Sequence, residues 1–343
     1  MLSRLIRLRW PIPVIALVTV LAVVGTALAA TRDDGPKVVV YNGRSHYGDE
    51  DVFQDFEDAT GIEVELRGGT GPELFERLRR EGEDTPADLL ITTDLANLWR
   101  AEDAGLLQDV TTPVLEANVP AGLHDDDGAW WALTTRLRVP VISTERVDPD
   151  TVTGYESLGD PRFEGRTCLR TSANEYNQSL VADMIAKRGR DATEDVLLSW
   201  MDNDPQIINS DGELLAVIAE GDCDLGLTNH YYLGRALLDD PDFPVAPAWP
   251  GQDGAGAHAN VSGVGLVTWS DQDEDAIALM EHLTSAEAQA GFTSGSEFAA
   301  NADVPPAEHI ADWADVETDP IAVADAGPLL EEATQLMLDV GWT

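Results

Sequence analysis

The stretch Leu227–Arg235 reads LTNHYYLGR and places two adjacent tyrosines, Tyr231 and Tyr232, directly after a strand pattern. That strand is indicated by Cys223–Thr228, CDLGLT, in which apolar and polar residues alternate. We expect the two phenols to begin a helix at the carboxyl end of this strand. In open α/β sheets this edge is where ligands bind. The stretch therefore predicts an α/β fold with a binding site beside the tyrosine pair.

The chemistry of paired phenols favours a hard, highly charged cation. A free phenol has a pKa of about 10 and is protonated at neutral pH, so a metal must displace its proton. Two phenolates with an imidazole suit ferric iron better than calcium, which prefers carboxylates and carbonyls, or zinc, which prefers thiolate and histidine. The alternative is that Tyr231 and Tyr232 only pack the start of a helix.

The segment Asn229–Arg235 resembles the Asn-x-Tyr-Tyr signature of bacterial ferric-ion-binding proteins, the periplasmic components of iron ABC importers. Tyr41–Tyr47, YNGRSHY, is similar to the first strand of that family and its iron-ligating His-Tyr turn. Weaker matches follow in the same order along the chain, at Thr60–Val64, Pro86–Leu90, Leu98–Ala101, Thr135–Val139, Asn174–Leu180, Gln252–Gly254, Asn260–Gly263 and Leu336–Trp342. The order of the matches, more than any one of them, carries the resemblance.

The resemblance implies an α/β, two-lobed periplasmic-binding-protein fold with a ligand cleft between the lobes. Lobe 1 is predicted to comprise residues 31–138 and 262–343, and lobe 2 residues 139–261. Strand and helix patterns alternate along the chain, as such a fold requires. Binding would then proceed by hinge closure of one lobe onto the other.

The resemblance also implies the metal ligands. His46 and Tyr47 would come from lobe 1 and Tyr231 and Tyr232 from lobe 2, with His230 supporting them. The sequence departs from the family at two further positions. Ile142 stands where some relatives carry another tyrosine, and Thr93, followed by Asp94, stands where others carry glutamate.

An oxyanion, carbonate or phosphate, is predicted to fill the coordination positions that the protein leaves open. Arg44 and Arg136 are candidates to clamp it in bidentate fashion. Ser172 and Asn177, near the start of a predicted helix, would add hydroxyl, amide and backbone donors, and Asn229 resembles a family anion contact. Each of these five residues has the alternative interpretation of an ordinary structural polar residue.

The first thirty residues are predicted to be an export signal. Arg4, Arg7 and Arg9 precede an apolar run that ends in Ala27–Ala29, a small-x-small cleavage pattern. An uncleaved membrane anchor is the competing interpretation, because about 20 apolar residues span a bilayer. Either version predicts a periplasmic or extracellular protein, tethered to the membrane in the second case.

Cys168 and Cys223 are the two cysteines of the chain. In an exported protein an even count predicts a disulfide, since the outer compartment is oxidising. Two free thiols in the core are the alternative. The spacing lacks the Cys-x-x-Cys pattern of zinc and redox sites.

Acidity dominates the composition, with 63 acidic against 21 basic residues and a net charge of −42. Such a surface repels nucleic acid and anionic membranes. A solvated acidic shell of the kind found in salt-adapted organisms explains it without reference to a ligand.

We therefore predict a monomeric, extracytoplasmic solute-binding protein that captures ferric iron for an ABC permease and catalyses no reaction. The alternative ligand is a small organic molecule, such as a polyamine or an organic anion, stacked on the tyrosines. A secreted enzyme using tyrosine and histidine is a remote alternative. Neither a Gly-x-Ser-x-Gly elbow nor a His-Glu-x-x-His motif occurs in the sequence.

Overall fold

The computed structural model describes residues 35–44, 49–252, 256–319 and 323–343, and the compact unit that contains the site runs from Lys37 to Thr343. The predicted export signal, residues 1–30, and the predicted ligands His46 and Tyr47 lie outside the described residues. Within the described ranges no helix is long and apolar enough to cross a bilayer.

Twelve strands of the described chain join one mixed sheet. In chain order, β1 to β12 are Lys37–Asn42, Glu63–Gly68, Leu89–Thr92, Leu107–Gln108, Trp131–Ser143, Thr167–Arg170, Gln206–Ile208, Leu225–Asn229, Val245–Pro247, Ala257–Val267, Phe298–Ala299 and Thr318–Asp319.

The helices alternate with these strands. In chain order, α1 to α12 are Asp49–Thr60, Gly71–Glu81, Leu95–Asp103, Pro113–Asn118, Glu175–Arg188, Arg190–Asp202, Asp211–Glu220, His230–Asp239, Asp273–Leu283, Ala286–Phe292, Val323–Ala326 and Leu330–Asp339. Short 3-10 helices span Gly82–Asp84, Pro149–Thr151, Tyr155–Gly159, Pro161–Phe163, Thr293–Gly295, Glu308–Asp315 and Gly327–Leu329.

Local sequence explains the start of helix α2. Thr70 accepts a hydrogen bond from the backbone N–H of Glu73, and the Glu73 carboxylate accepts one from the backbone N–H of Thr70. This capping box satisfies two helix donors at once, and Pro72 follows at a position that tolerates proline. Gly68 ends β2 and Gly71 begins α2, so Gly69 and Thr70 form the short connection between them.

The sheet runs in the order β2-β1-β3-β10-β5-β8-β6-β7. Parallel pairs lie at both ends, β2-β1-β3 and β8-β6-β7, and two long antiparallel strands lie between them. Strand β5 pairs with β10 near its start and with β8 near its end. β5 and β10 are therefore the strands that connect the two parallel regions.

Two large hydrophobic cores lie on this framework. The first core is built from residues between Val38 and Leu133 together with residues between Val261 and Ala300. The second core is built from residues between Ile142 and Ala248 together with Leu330–Trp342. Each core covers one parallel region of the sheet, which is the arrangement of a two-lobed α/β binding protein.

The C-terminal helix α12 packs with the second core, although the sequence analysis assigned residues 262–343 to lobe 1. Leu336 and Met337 are fully buried there, and Trp342 stacks edge-to-face on Trp200 with ring centroids 5.7 Å apart. The lobe boundaries stay a prediction, and this packing favours moving the last helix to lobe 2.

Cys168 and Cys223 form a disulfide with Cα atoms 6.0 Å apart, which confirms the predicted pairing. Cys168 lies in β6, and Cys223 lies just before β8. Because the bridge closes a loop of 55 residues, it restricts the unfolded chain and contributes about 4 kcal/mol of stability. It fixes the strand that delivers the tyrosine pair.

Candidate metal centre

Tyr231 and Tyr232 lie at the first turn of helix α8, which begins at His230 directly after strand β8. The strand ends in an extended residue, Asn229, so the chain turns from sheet to helix just before the two tyrosines. Tyr231 is fully buried and Tyr232 half-buried. Their ring centroids are 4.4 Å apart and the rings are tilted by 33°. The predicted strand-then-helix placement of the pair is thus confirmed.

A third phenol, Tyr176, lies at the start of helix α5, and the sequence analysis did not assign it a role. Its side chain is buried and hydrogen bonds with that of Tyr231. Because α5 and α8 both follow strands of the same parallel region, their first turns meet at one sheet edge. Ile142, which stands where some relatives carry another tyrosine, belongs to the second core, and Tyr176 is a phenol that reaches the tyrosine pair from a different helix.

Burial keeps these phenols protonated in the metal-free protein. Burial raises the pKa of Tyr176 to about 12, although the Arg136 guanidinium acts in the opposite direction. Burial raises the pKa of Tyr231 well above its ordinary value, and the neighbouring Tyr176 and Tyr232 add to the effect. A weak Lewis acid cannot remove such protons at neutral pH, whereas a trivalent cation can.

Two guanidinium groups flank the phenols. Arg136, on β5, lies 4.8 Å from the centre of the Tyr176 ring, and Arg235 lies 4.8 Å from the centre of the Tyr231 ring. Arg235 also donates to the carbonyl of Gly295. Cations at this distance are attracted to the ring faces and stabilise negative charge that develops on the phenolate oxygens.

Arg136 is the predicted anion contact that lies beside the phenols. It is buried, and its Nη2 lies 3.5 Å from a carboxylate oxygen of Asp94. Its Nε has no hydrogen-bond partner among the described residues. Burial lowers the pKa of Arg136, but Tyr176 and Asp94 outweigh this and the net direction is upward. A buried cation with an unpaired donor beside three phenols fits an oxyanion.

Arg44, the second predicted clamp, is engaged elsewhere. Its guanidinium donates to Thr134 Oγ1 at 2.9 Å and to Glu297 Oε2 at 3.0 Å, and all three side chains are buried. It also lies over the ring of Phe292. These contacts make Arg44 part of a buried ion pair with Glu297. To bind the predicted anion, the Arg44 guanidinium would have to contact the anion and Glu297 together.

Arg138 organises the other predicted anion contacts. Its Nε donates to Asn177 Oδ1 at 2.9 Å, and its Nη1 donates to Asp211 Oδ1 at 3.1 Å and to Asn229 Oδ1 at 3.0 Å. Asn177 additionally donates to the carbonyls of Arg170 and Thr171. The Asn177 side chain is therefore saturated by the protein, and its geometry favours a structural role over anion binding.

Asn229 connects this network to the metal site. While its Oδ1 accepts from Arg138, its Nδ2 lies 3.4 Å from the hydroxyl oxygen of Tyr231. An amide donor on a phenol oxygen favours the ionised form of that phenol. Asn229 thus contacts the Tyr231 phenol, and its predicted contact with an anion stays a prediction. Ser172 is buried, and its backbone carbonyl accepts from Gln178.

His230 lies beside Tyr231, with ring centroids 6.1 Å apart, and makes further contacts with β5 and β11. Its Nδ1 accepts from the backbone N–H of Leu137 at 3.0 Å, and its ring stacks on Phe298. Burial lowers the pKa of His230 to about 4. The imidazole is neutral at physiological pH and packs between β5 and α8, and its predicted role in supporting the metal ligands stays a prediction.

The described residues hold no group of three or more histidine, cysteine, aspartate or glutamate side chains able to bind a metal ion. Asp94, considered from sequence as a substitute carboxylate, instead caps helix α3 and accepts from Ser179 and Asn260. His46 and Tyr47 lie beyond the described residues, so their part in the site stays a prediction.

The chain belongs to the family of bacterial extracellular solute-binding proteins, whose model matches residues 51–320. Two solved relatives and one curated sequence support the predicted resemblance to ferric-binding proteins. Iron uptake protein A1 of Synechocystis sp. is 37% identical over 325 residues, covering 92% of this chain and 90% of the relative.

The solved relatives have the same fold over nearly the whole length. A Trichodesmium protein (IdiA, FutA), solved in complex with iron and citrate ligands, matches with a TM-score of 0.83 and 33% identity, covering 90% of this chain and all of that chain. The ferric binding protein from Campylobacter jejuni matches with a TM-score of 0.83 and 29% identity, covering 89% of this chain and 100% of that chain. The predicted two-lobed α/β fold is confirmed.

Proposed function

We propose that this protein captures ferric iron outside the cytoplasm and delivers it to the permease of an ABC importer. The observation that carries the proposal is the convergence of Tyr176, Tyr231 and Tyr232 from two helix starts at one sheet edge. The family and the iron-related names of its relatives support the same conclusion.

The phenols select the ion. Because burial raises the pKa of Tyr176 and of Tyr231, binding requires a cation acidic enough to expel buried phenolic protons. Ferric iron meets this requirement, and three phenolates balance its charge. Calcium and magnesium prefer carboxylate and carbonyl oxygens, which this cluster lacks.

The remaining coordination positions fall to groups that complete the site on closure. We propose that His46 and Tyr47 approach from lobe 1, residues 31–138, and that a carbonate or phosphate ion occupies the space beside Arg136. Lobe 2, residues 139–261, would hold the three phenols. In this proposal the protein is an exported monomer, brought outside the cytoplasm by residues 1–30, and catalyses no reaction.

The test is the metal stoichiometry of purified protein. Protein is incubated with ferric citrate, desalted and analysed for bound metal, and parallel samples receive calcium, zinc or manganese. We expect one retained ferric ion per chain and no comparable retention of the other ions. Retention of a polyamine or an organic anion without iron would overturn the proposal in favour of an organic ligand stacked on the tyrosines.

A further inference from the structure

Helix α5 carries two side chains that reach across to helix α3. The Glu175 carboxylate accepts from Thr93 Oγ1 at 3.0 Å through one oxygen and from Asn97 Nδ2 at 2.9 Å through the other. One turn further along α5, Ser179 Oγ donates to Asp94 Oδ1 at 2.8 Å. Glu175 directly precedes the phenol of Tyr176, so these bonds lie next to the candidate metal centre.

These hydrogen bonds connect the two hydrophobic cores. Helix α3 lies in the first core through Leu95 and Leu98 and also packs against the second core through Ala96 and Trp99, whereas helix α5 lies in the second core through Leu180 and Met184. The residues that form the bonds belong to neither core. These residues meet only where the first and second cores lie side by side. Any opening between the two cores must therefore break the hydrogen bonds.

Asp94 and Asn97, the residues that Ser179 and Glu175 contact, are held in position by further contacts of their own. Asp94 Oδ1 accepts from the backbone N–H of Ala96, and Asp94 Oδ2 accepts from Asn260 Nδ2 at 2.9 Å. Asn97 lies against Gly71, the first residue of α2, where an added Cβ would overlap the Asn97 amide. The glycine thus leaves the room that Asn97 needs to reach Glu175.

We propose that Glu175 and Ser179 form a latch that holds the cleft closed and keeps Tyr176 in position, so that its opening sets the rate at which bound ferric iron leaves. The identity of the released cargo, ferric iron, rests on the proposed function. The bonds of the latch join helix α5 to the segment Thr93–Asn97, and interactions present in one of two states shift the equilibrium towards that state.

Two substitutions at Glu175 separate the effect of its hydrogen bonds from the effect of its negative charge. Glu175→Ala removes both acceptors. Glu175→Gln keeps an oxygen for Thr93 and presents an amide to Asn97, whose Oδ1 has no hydrogen-bond partner among the described residues. A half-turn of the Asn97 amide lets that Oδ1 accept from the glutamine. The glutamine variant therefore retains both contacts without the negative charge.

The first experiment measures iron release. Iron-loaded protein is mixed with excess EDTA in a stopped-flow instrument, and the decay of the visible iron–phenolate absorbance gives the rate. We expect Glu175→Ala to release iron about tenfold faster, the equivalent of about 1.4 kcal/mol. Thr93→Val should act in the same direction with a smaller effect, and the double variant should be no faster than Glu175→Ala. The release rate of Glu175→Gln should stay within about twofold of the wild-type rate. Glu331→Ala, an exposed control on α12, should release iron at the wild-type rate.

An iron-release rate that is unchanged in Glu175→Ala would overturn the latch. So would a double variant whose rate increase equals the product of the increases in the two single variants. A glutamine variant as fast as the alanine variant would overturn it too, since the effect would then belong to charge.

A second measurement needs no iron. Small-angle X-ray scattering of metal-free protein should give a larger radius of gyration for Glu175→Ala and Thr93→Val than for wild type and Glu175→Gln. Equal radii would overturn the latch. A wild-type protein that binds no iron, by contrast, would overturn the proposed function while the scattering still tests the latch.

Discussion

Tyr231 shows at the level of one residue how the site is built. Its hydroxyl lies within reach of Asn229, whose amide is in turn oriented by Arg138 on the connecting strand β5. A buried guanidinium that satisfies three side-chain oxygens has few substitutes, because each oxygen it leaves becomes an unsatisfied buried acceptor. The position of the Tyr231 phenol thus depends on the Arg138 guanidinium, which acts on it through Asn229.

Arg138→Met tests that dependence. We expect the substitution to lower the free energy of unfolding by about 3 kcal/mol, because Asp211 and the two asparagines lose a buried charged partner. Urea unfolding followed by circular dichroism measures it. The control is Arg162→Met, whose side chain is 54% exposed and pairs with Asp160, and it should cost less than about 0.5 kcal/mol. A loss below about 1 kcal/mol for Arg138→Met would contradict the role of this residue.

His230 predicts a pH dependence of stability. Its pKa is lowered to about 4 in the folded protein, against about 6.5 when unfolded. Between these values the unfolded chain binds the extra proton, so the free energy of unfolding is full above pH 6.5 and falls as the pH drops towards 4. The shift corresponds to about 3 kcal/mol.

The variant His230→Asn retains an acceptor for the Leu137 N–H but does not titrate. Urea unfolding at pH values from 7 to 4 should show a loss that is about 3 kcal/mol smaller in the variant than in wild type. Parallel profiles for wild type and His230→Asn would rule out this titration.

The residues of the site were predictable to the extent that a motif carried them. Tyr231 and Tyr232 are adjacent in sequence and follow a recognisable strand, so their site was found. Tyr176 stands alone at a helix start, and no local pattern distinguishes it from a core tyrosine. Arg136 and Arg138 share one face of β5 at the two-residue spacing of a strand, a signal that two buried charges need partners on that face. The partners come from distant elements, so sequence spacing does not reveal them.

At the level of elements, the start of helix α2 affects the latch through Gly71. Gly71→Ala adds a methyl at the first residue of the helix, directly before Pro72. The added methyl overlaps the Asn97 amide and should displace it from Glu175. We therefore expect iron release into EDTA to become several-fold faster.

The matched control is Gly212→Ala, near the start of helix α7, where an added methyl meets nothing within 4 Å. It should leave the release rate at the wild-type value. If Gly71→Ala releases iron no faster than Gly212→Ala, the packing of Asn97 against α2 does not govern the latch.

The order of the elements follows directly from hydrophobic patterning, and their bounds follow less well. The helix predicted from Tyr231 begins one residue earlier, at His230, and the strand predicted from Cys223 begins at Leu225. End residues are decided by caps and by pairing partners, which local periodicity does not contain. The assignment of α12 depends on long-range packing of Trp342 against Trp200, a contact for which the sequence gives no local signal.

For the whole molecule, the net charge of −42 predicts that salt stabilises the fold. Like charges repel across the surface, and the screening length falls from about 10 Å at 0.1 M salt to about 3 Å at 1 M. The melting temperature should rise between 0.05 M and 1 M sodium chloride. Sucrose at the same osmolality, which does not screen charge, should raise it less. A melting temperature that falls with salt would mean that ion pairs outweigh the repulsion.

The most direct test of ferric iron binding by the phenols is the visible spectrum of iron-loaded protein. We predict a phenolate-to-iron charge-transfer band in wild type, because phenolate oxygens donate to the metal. Tyr176→Phe should weaken the band, and Tyr231→Phe combined with Tyr232→Phe should weaken it further, because two phenolates are then lost. Tyr41→Phe removes a phenol that bonds to Glu81 in the first core, away from the site, and should leave the band unchanged. A wild-type protein that binds one ferric ion per chain and stays colourless would contradict the assignment of the phenols as ligands.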